Sequence, residues 1–219
     1  MYRDRADIIS QIKANKVIAI LRNVHLDKIE KTVEALYKGG IRCLEITFCQ
    51  ESDTCVEDTV QSIRIANSLF EDLLVGAGTV ITEEQLLCAS DAGVEFIISP
   101  TVNLELITLA TEKKLLAIPG ALTPTEILQA YNAGAGFVKV FPANNLGPKY
   151  IKAISSPLGH IPLMAVGGIN LTNILDYYKV GCCSFGIGGN LVNMTMINKG
   201  DFEGLTYLAQ QYVKIVKEI

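Results

Sequence analysis

Residues 137–142 read FVKVFP, a short β-branched and aromatic run that is typical of a buried strand. Seven further apolar runs of strand length occur, and amphipathic stretches separate them. The eight runs are VIAILR from Val17, CLEITF from Cys43, LLVGAGT from Leu73, EFIISP from Glu95, LLAIPG from Leu115, FVKVFP from Phe137, IPLMAVGG from Ile161 and CSFGIGG from Cys183. Strands that alternate with helices pair in parallel through crossovers, so eight such units in 219 residues predict a (β/α)8 barrel.

The expected fold class is α/β, a (β/α)8 TIM barrel with an N-terminal helix and a helical C-terminal tail. Residues 1–219 show no linker or low-complexity tract, so we expect a single domain. An open doubly wound sheet is the alternative, but the first strand continues as LRNVHLDK and lacks the GxGxxG fingerprint. Thr82 and the Thr123-Pro124 pair are expected to begin helices.

Composition restricts the possible partners. The net charge of −4 and the pI near 5.3 argue against nucleic-acid binding and favour a small-molecule or protein partner. No apolar run is long enough to span a membrane, and the charged N-terminus does not resemble a signal peptide, so we expect a cytoplasmic protein. The six cysteines and two histidines lack zinc-site spacing, and we expect no metal, mostly reduced core thiols and non-catalytic histidines.

Lys139 is the exceptional residue of the FVKVFP run. Burial penalises an ammonium group and lowers its pKa, and a lysine that is partly neutral can attack a carbonyl to form a Schiff base. The alternatives are a lysine that extends to solvent at the strand end and one that pairs with a carboxylate.

Glu45 is a second charged residue in an apolar run. Side chains alternate along a strand, so Val138 and Val140 share one face while Lys139 lies on the other. The same alternation places Glu45 opposite Leu44 and Ile46. If the aliphatic faces pack on helices, lysine and glutamate point to the barrel interior, either as an ion pair or as a nucleophile and its proton shuttle.

Several candidate residues fall where strands end. Barrel active sites lie at the carboxyl ends of the strands, and Lys139, Glu45, Thr79 and Ser99-Pro100 are all near such ends. The last two strands end in the glycine pairs of AVGGIN (from Ala165) and GIGGNL (from Gly186). Glycine-rich loops before helices can bind an anion such as phosphate, although the same glycines can also serve only to make tight turns. The loop QESDTCVED from Gln50 is acidic, which favours the next helix or disfavours some anionic substrates.

The ordered set of motifs resembles the 2-keto-3-deoxy-6-phosphogluconate (KDPG) and 4-hydroxy-2-oxoglutarate (KHG) aldolases over nearly the whole chain. The motifs are LEIT at Glu45, VGAGTV at Thr79, FIISP ending at Pro100, IPG at Pro119, VKVFPA at Lys139, GGI at Gly167 and GIGGNL. The resemblance implies a class I aldolase on a (β/α)8 barrel, a homotrimer that needs no metal or other cofactor. It also implies a phosphorylated or non-phosphorylated 2-keto-4-hydroxy acid as substrate.

The resemblance also assigns site residues. It makes Lys139 the Schiff-base lysine and Glu45 the general acid and base. It places Thr79 and Pro100 near the keto-acid carboxylate, Phe141 in the pocket, and Gly167, Gly168 and Asn190 in the phosphate loops. Gly188 and Gly189, from the second glycine pair, complete the expected substrate-binding residues.

Three positions depart from the family pattern. Cys49 stands where some relatives have an arginine that holds the substrate carboxylate, Val166 where some have threonine, and Asn190 where some have serine. Arg22, at the end of the first strand, is either a replacement cation or a surface residue with little effect. A phosphate-binding isomerase or synthase without imine chemistry, and a barrel used only for binding, are the alternatives to an aldolase.

Overall fold

The computed structural model describes residues 3–50 and 55–219, so part of the acidic loop and the side chain of Cys55 lie outside the described part. Strands and helices alternate along the chain. The strands are β1 (Val17–Leu21), β2 (Cys43–Thr47), β3 (Leu74–Gly78), β4 (Phe96–Ile98), β5 (Leu116–Ile118), β6 (Gly120–Ala121), β7 (Val138–Val140), β8 (Leu163–Val166) and β9 (Cys182–Ile187). The helices are α1 (Arg5–Asn15), α2 (Leu26–Lys38), α3 (Cys55–Leu69), α4 (Glu83–Asp91), α5 (Leu104–Glu112), α6 (Pro124–Asn132), α7 (Ala143–Ser155), α8 (Ile174–Lys179), α9 (Met194–Lys199) and α10 (Phe202–Lys217).

The strands form one parallel sheet that closes on itself. Their order is β5-β4-β3-β2-β1-β9-β8-β7-β6, and only Pro119 separates β5 from β6. These two short strands are therefore one barrel strand, which pairs with β4 through its first half and with β7 through its second. The predicted (β/α)8 barrel is confirmed, and the fifth predicted strand is divided because proline cannot donate a ladder hydrogen bond.

Alternation along the strands creates two apolar layers. Leu44, Ile46, Val138 and Val140 belong to the outer layer, where the strands pack against helices. Phe96, Phe137, Ile18, Leu116 and Met164 belong to the inner layer, which fills the barrel. The predicted orientation of the two charged strands is thus confirmed, because Lys139 and Glu45 lie on the face opposite the outer layer.

The predicted N-terminal helix closes the amino end of the barrel. Ile8 and Ile12 of α1 are buried within the inner apolar layer. Arg3 precedes the helix, pairs with Glu95 and donates to the backbone oxygen of Glu71 at 2.6 Å. The loops that follow the strands lie at the other end of the barrel.

The predicted helix starts are confirmed by their hydrogen bonds. The Thr82 hydroxyl accepts from Gln85 N at 3.2 Å, and the Gln85 side chain accepts from Thr82 N at 3.3 Å. Thr123 and Glu126 form the same reciprocal cap on α6, with Pro124 in its first turn. Within the described ranges, none of the helices has the length and apolar character needed to cross a bilayer.

Candidate active site

Lys139 lies in the middle of β7 and only 4% of its surface is exposed. Burial lowers the pKa of its amine, and the charge of Arg22 lowers it further, while the charge of Glu45 acts in the opposite direction. Its Nζ lies 4.7 Å from the centroid of the Phe141 ring, two residues along the same strand face. The solvent-extended alternative for Lys139 is therefore wrong, and its amine is held in an apolar environment.

Glu45 lies in the middle of β2 and is 2% exposed. Burial raises the pKa of its carboxyl group, against the opposing effects of Lys139 and Arg22. Its Oε2 atom is buried and forms no hydrogen bond with any residue of the described chain. A buried carboxyl oxygen without a partner is unfavourable in a purely structural residue, and it is available to a substrate or water.

The two groups influence each other electrostatically without direct contact. No ion pair within 4.0 Å joins Lys139 to Glu45 among residues 3–50 and 55–219. Burial is the largest effect on each group, so the pKa of Lys139 is lowered, the pKa of Glu45 is raised, and the neutral form of each is favoured. The arrangement thus leaves room between an amine and a carboxyl group, and it favours a neutral nucleophile beside a proton carrier.

A cavity of about 270 Å³ opens at the carboxyl ends of the neighbouring strands β1, β8 and β9. It brings together most of the substrate-binding residues that the sequence predicts, namely Arg22, Phe141, Gly167, Gly168, Gly188, Gly189 and Asn190. Ile20, Val166, Ile169 and Gly186 also line it. Ile20 and Gly186 could have been found from strand alternation alone, because they precede the predicted residues by two positions.

Backbone geometry requires glycine in the first glycine pair but not in the second. Gly167 and Gly168 have φ angles of 101° and 71°, so the turn after β8 requires them. Gly188 and Gly189 have no such angle, and a Cβ atom on either would meet nothing within 4 Å. Turn geometry therefore explains the first pair only, and the second pair borders open space in the cavity.

Asn190 connects the two loops. Its Nδ2 donates to the backbone oxygen of Ile169 at 2.8 Å, and its own backbone oxygen accepts from the Tyr212 hydroxyl at 3.2 Å. The backbone N–H groups of Gly189 and Asn190 have no acceptor within the described part of the chain. Asn190 thus has a supporting role through its amide, while the backbone of this loop offers free donors.

Thr79 and Pro100 lie outside this cavity. Thr79 directly follows β3 and has a φ angle of 56°, which is uncommon for a β-branched residue. The backbone oxygen of Pro100 packs so closely against Gly120, the partner of Lys139 in the β6–β7 pairing, that a Cβ on Gly120 would approach it to 2.4 Å. Thr79 therefore lies at the end of the strand beside β2, and Pro100 lies near β7, on the side of the barrel away from Gly188.

The structure also places the substituted positions, the cysteines and the histidines that the sequence singles out. Cys49 is partly buried against the outer apolar layer and does not line the cavity, whereas Val166 does. Cys43, Cys49, Cys88, Cys182 and Cys183 are free thiols. His25 pairs with Asp27 at the surface, and His160 packs against the edge of the Tyr131 ring, in agreement with their expected non-catalytic roles.

Comparison with known proteins identifies relatives along nearly the whole chain. Residues 8–208 match the family model described as KDPG and KHG aldolase. The chain is 39% identical over 177 residues to a probable 2-dehydro-3-deoxy-6-phosphogalactonate aldolase of Rhizobium meliloti (strain 1021), a match that covers 80% of this chain and 81% of that protein. It is 34% identical over 216 residues to a 2-dehydro-3-deoxy-phosphogluconate aldolase of Treponema pallidum (strain Nichols), covering 95% and 99%.

A solved structure extends the likeness to the chemistry. The KDPG aldolase from Legionella pneumophila, with pyruvate captured at low pH as a covalent carbinolamine intermediate, has a TM-score of 0.83 and 28% identity over 92% of this chain and 96% of that one. The barrel and its matches define a class I aldolase, a carbon–carbon lyase. The chain belongs to the KDPG and KHG aldolase family. This finding decides against an isomerase without imine chemistry and against a barrel used only for binding.

Proposed function

We propose that Lys139 is the Schiff-base lysine and Glu45 the general acid and base of an aldolase that cleaves a 2-keto-4-hydroxy acid. One observation carries the proposal. Lys139 is only 4% exposed as a residue, its pKa is lowered by burial, and it lies on the same inner barrel face as a buried carboxyl group with an oxygen that has no partner among the described residues.

The proposed reaction begins when neutral Lys139 attacks the ketone carbon of the substrate. Glu45 assists the loss of water, which gives a protonated imine. Glu45 then removes the proton from the C4 hydroxyl, directly or through one water, and the C3–C4 bond breaks as its electron pair moves towards the imine nitrogen. The products at this point are a free aldehyde and an enamine of pyruvate. Protonation of the enamine and hydrolysis release pyruvate and restore the lysine. The protonated imine itself withdraws electrons, so the proposed route uses neither a metal nor an external cofactor.

The proposed substrate carries a phosphate, so that the aldehyde is glyceraldehyde 3-phosphate and the keto acid is KDPG or its galactonate epimer. The open space beside Gly188 and Gly189, the free N–H groups of Gly189 and Asn190, and the Arg22 guanidinium together suit a phosphate. The relatives are named for phosphorylated substrates. KHG, which would give glyoxylate, is the second candidate, because it lacks the phosphate that the Gly188–Gly189 loop suits.

We further propose a cytoplasmic homotrimer. Three large apolar side chains are well exposed: Ile81 just before α4 (41%), Leu104 in α5 (46%) and Leu128 in α6 (39%). Exposed apolar residues that lie near one another are suited to an interface between subunits.

Borohydride trapping tests the chemistry directly. Treatment with pyruvate and borohydride is expected to add one stable pyruvate-derived mass on Lys139. Lys139→Met should show no label and no cleavage, whereas Glu45→Gln should retain some labelling and lose most cleavage. A label on another lysine, or an unlabelled but folded protein, contradicts the proposal.

A further inference from the structure

The last residue of β3 lies directly opposite the Glu45 side chain. Gly78 pairs with Thr47 of β2, and its backbone oxygen accepts from Phe48 N at 2.9 Å. Its φ angle is outside the left-handed region, so the backbone conformation at this position does not require glycine. Another reason for the missing side chain must therefore exist.

The Glu45 carboxyl group supplies that reason. A Cβ atom on Gly78 would lie only 1.9 Å from Glu45 Oε1 and 2.6 Å from both Cδ and Cγ of the same side chain. Such distances are far below van der Waals contact, so the carboxyl group occupies the space that a side chain at position 78 would take. Glu45 is 2% exposed, and it cannot simply swing into solvent.

We propose that Gly78 is a positioning residue, whose lack of a side chain fixes where the Glu45 carboxyl group stands relative to Lys139 and the substrate. This inference rests on the proposed roles of Glu45 and Lys139. The three nearest atoms that a Cβ would meet belong to one flexible side chain, so Gly78→Ala should displace the carboxyl group and leave the strand in place. A misplacement of about 1 Å can lower a rate by about 100-fold.

Gly76 provides a matched control on the same strand. It is the backbone partner of Glu45, so distortion of the β2–β3 pairing would reach Glu45 from either glycine. A Cβ on Gly76 would instead meet the Phe96 ring, at 2.2 Å from Cε2. That ring is rigid and fully buried. Gly76→Ala should therefore lower the stability of the fold more than Gly78→Ala does, and lower kcat less.

The experiment compares wild type, Gly78→Ala, Gly76→Ala, Glu45→Gln and the Glu45→Gln/Gly78→Ala double variant. Urea unfolding, borohydride trapping of pyruvate on Lys139, and kcat and KM for retro-aldol cleavage are measured for each. Gly78→Ala should still take the label and lose about 100-fold in kcat with little change in KM. In the Glu45→Gln background, Gly78→Ala should lower kcat by no more than about twofold, which is within the usual precision of such double-variant comparisons.

The outcomes separate the possible failures. If kcat of Gly78→Ala stays near wild type, or if the losses of Gly78→Ala and Glu45→Gln multiply, the positioning role is wrong. A wild type without label on Lys139 contradicts the proposed function instead. If Gly78→Ala does not fold, a second double variant, Glu45→Ala/Gly78→Ala, removes the three nearest contacts and should fold. If this Glu45→Ala/Gly78→Ala variant remains unfolded, the inference is wrong.

Discussion

Lys139 and Glu45 are held where burial works against both of their charges. Burial moves the pKa of Lys139 down and that of Glu45 up, and Oε2 of Glu45 has no partner within the described residues. A neutral amine is what attack on a ketone requires, so the same environment that favours the chemistry disfavours the resting fold.

The Lys139→Met/Glu45→Gln double variant should therefore be more stable than wild type. Burial disfavours the charged form of each group without a close ion pair to compensate, so uncharged groups of similar volume should raise stability, by about 1–4 kcal/mol at neutral pH. Urea unfolding at pH 7 measures the difference. Lys139→Met alone should gain less, because Glu45 then lacks its nearest cation. A double variant that is less stable than wild type would show that the pair holds the barrel together.

The stability of wild type should also depend on pH through Lys139. The pKa of Lys139 in the folded state lies below the ordinary value of 10.5, so the unfolded chain binds more protons between the two values. Wild type should gain stability as pH rises through this window and lose it as pH falls through the folded-state pKa. Its deficit against Lys139→Met should shrink from pH 7 towards pH 10 in a series of urea unfolding curves; a constant deficit would mean an unshifted lysine.

The pKa of Glu45 is shifted in the opposite direction from that of Lys139. Its folded-state pKa is raised, so its contribution to stability is complete below the ordinary value of 4.5 and is lost as pH rises through the raised value. The contributions of Lys139 and Glu45 to stability therefore change with pH in opposite directions.

At the level of single elements, sequence patterns predicted most of what the structure contains. Period-two alternation placed Lys139 and Glu45 inside the barrel, and the threonine caps at Thr82 and Thr123 begin their helices as expected. The role of Gly78 was not predictable, because it depends on a contact between side-chain positions of two different strands. The division of one strand at Pro119 and the amide bridge from Asn190 also depend on three-dimensional neighbours.

The cap of α4 gives a purely structural prediction. Thr82→Ala removes the acceptor for Gln85 N and should destabilise the protein by about 1 kcal/mol without changing kcat. Thr82→Ser, which keeps the hydroxyl, should remain close to wild type. Thermal or urea unfolding together with the cleavage assay checks both variants. A large fall in kcat would link this helix start to the mouth of the barrel.

The loop after β9 gives a prediction about substrate choice. Gly188→Ala meets no atom of the protein, so the variant should fold normally, but its methyl group would enter the space proposed for phosphate. The ratio kcat/KM for KDPG should fall by at least about 10-fold, while the ratio for KHG stays nearly constant. The non-phosphorylated substrate serves as the internal control. Equal losses for both substrates, or no loss, would mean that the phosphate lies elsewhere.

At the level of the whole molecule, the proposed trimer can be tested at its apolar side. Leu104→Glu places a charge on an exposed apolar position and should produce monomers in light scattering. Glu105→Lys, an exposed polar position beside it, is the matched control and should leave the assembly unchanged. Wild type that is monomeric at micromolar concentration would remove this proposal and leave the chemistry untouched.

The helix that closes the amino end of the barrel has a consequence for the sequence of events in a turnover. Ile8 and Ile12 seal that end, and aromatic side chains fill the interior above them, so in the described part of the chain the opposite opening is the route to Lys139. In the proposed mechanism the three-carbon keto acid is still bonded to Lys139 after cleavage, while the aldehyde is free. We therefore expect the aldehyde to depart first through this opening, with pyruvate as the last product to leave and an inhibitor that competes with the incoming substrate.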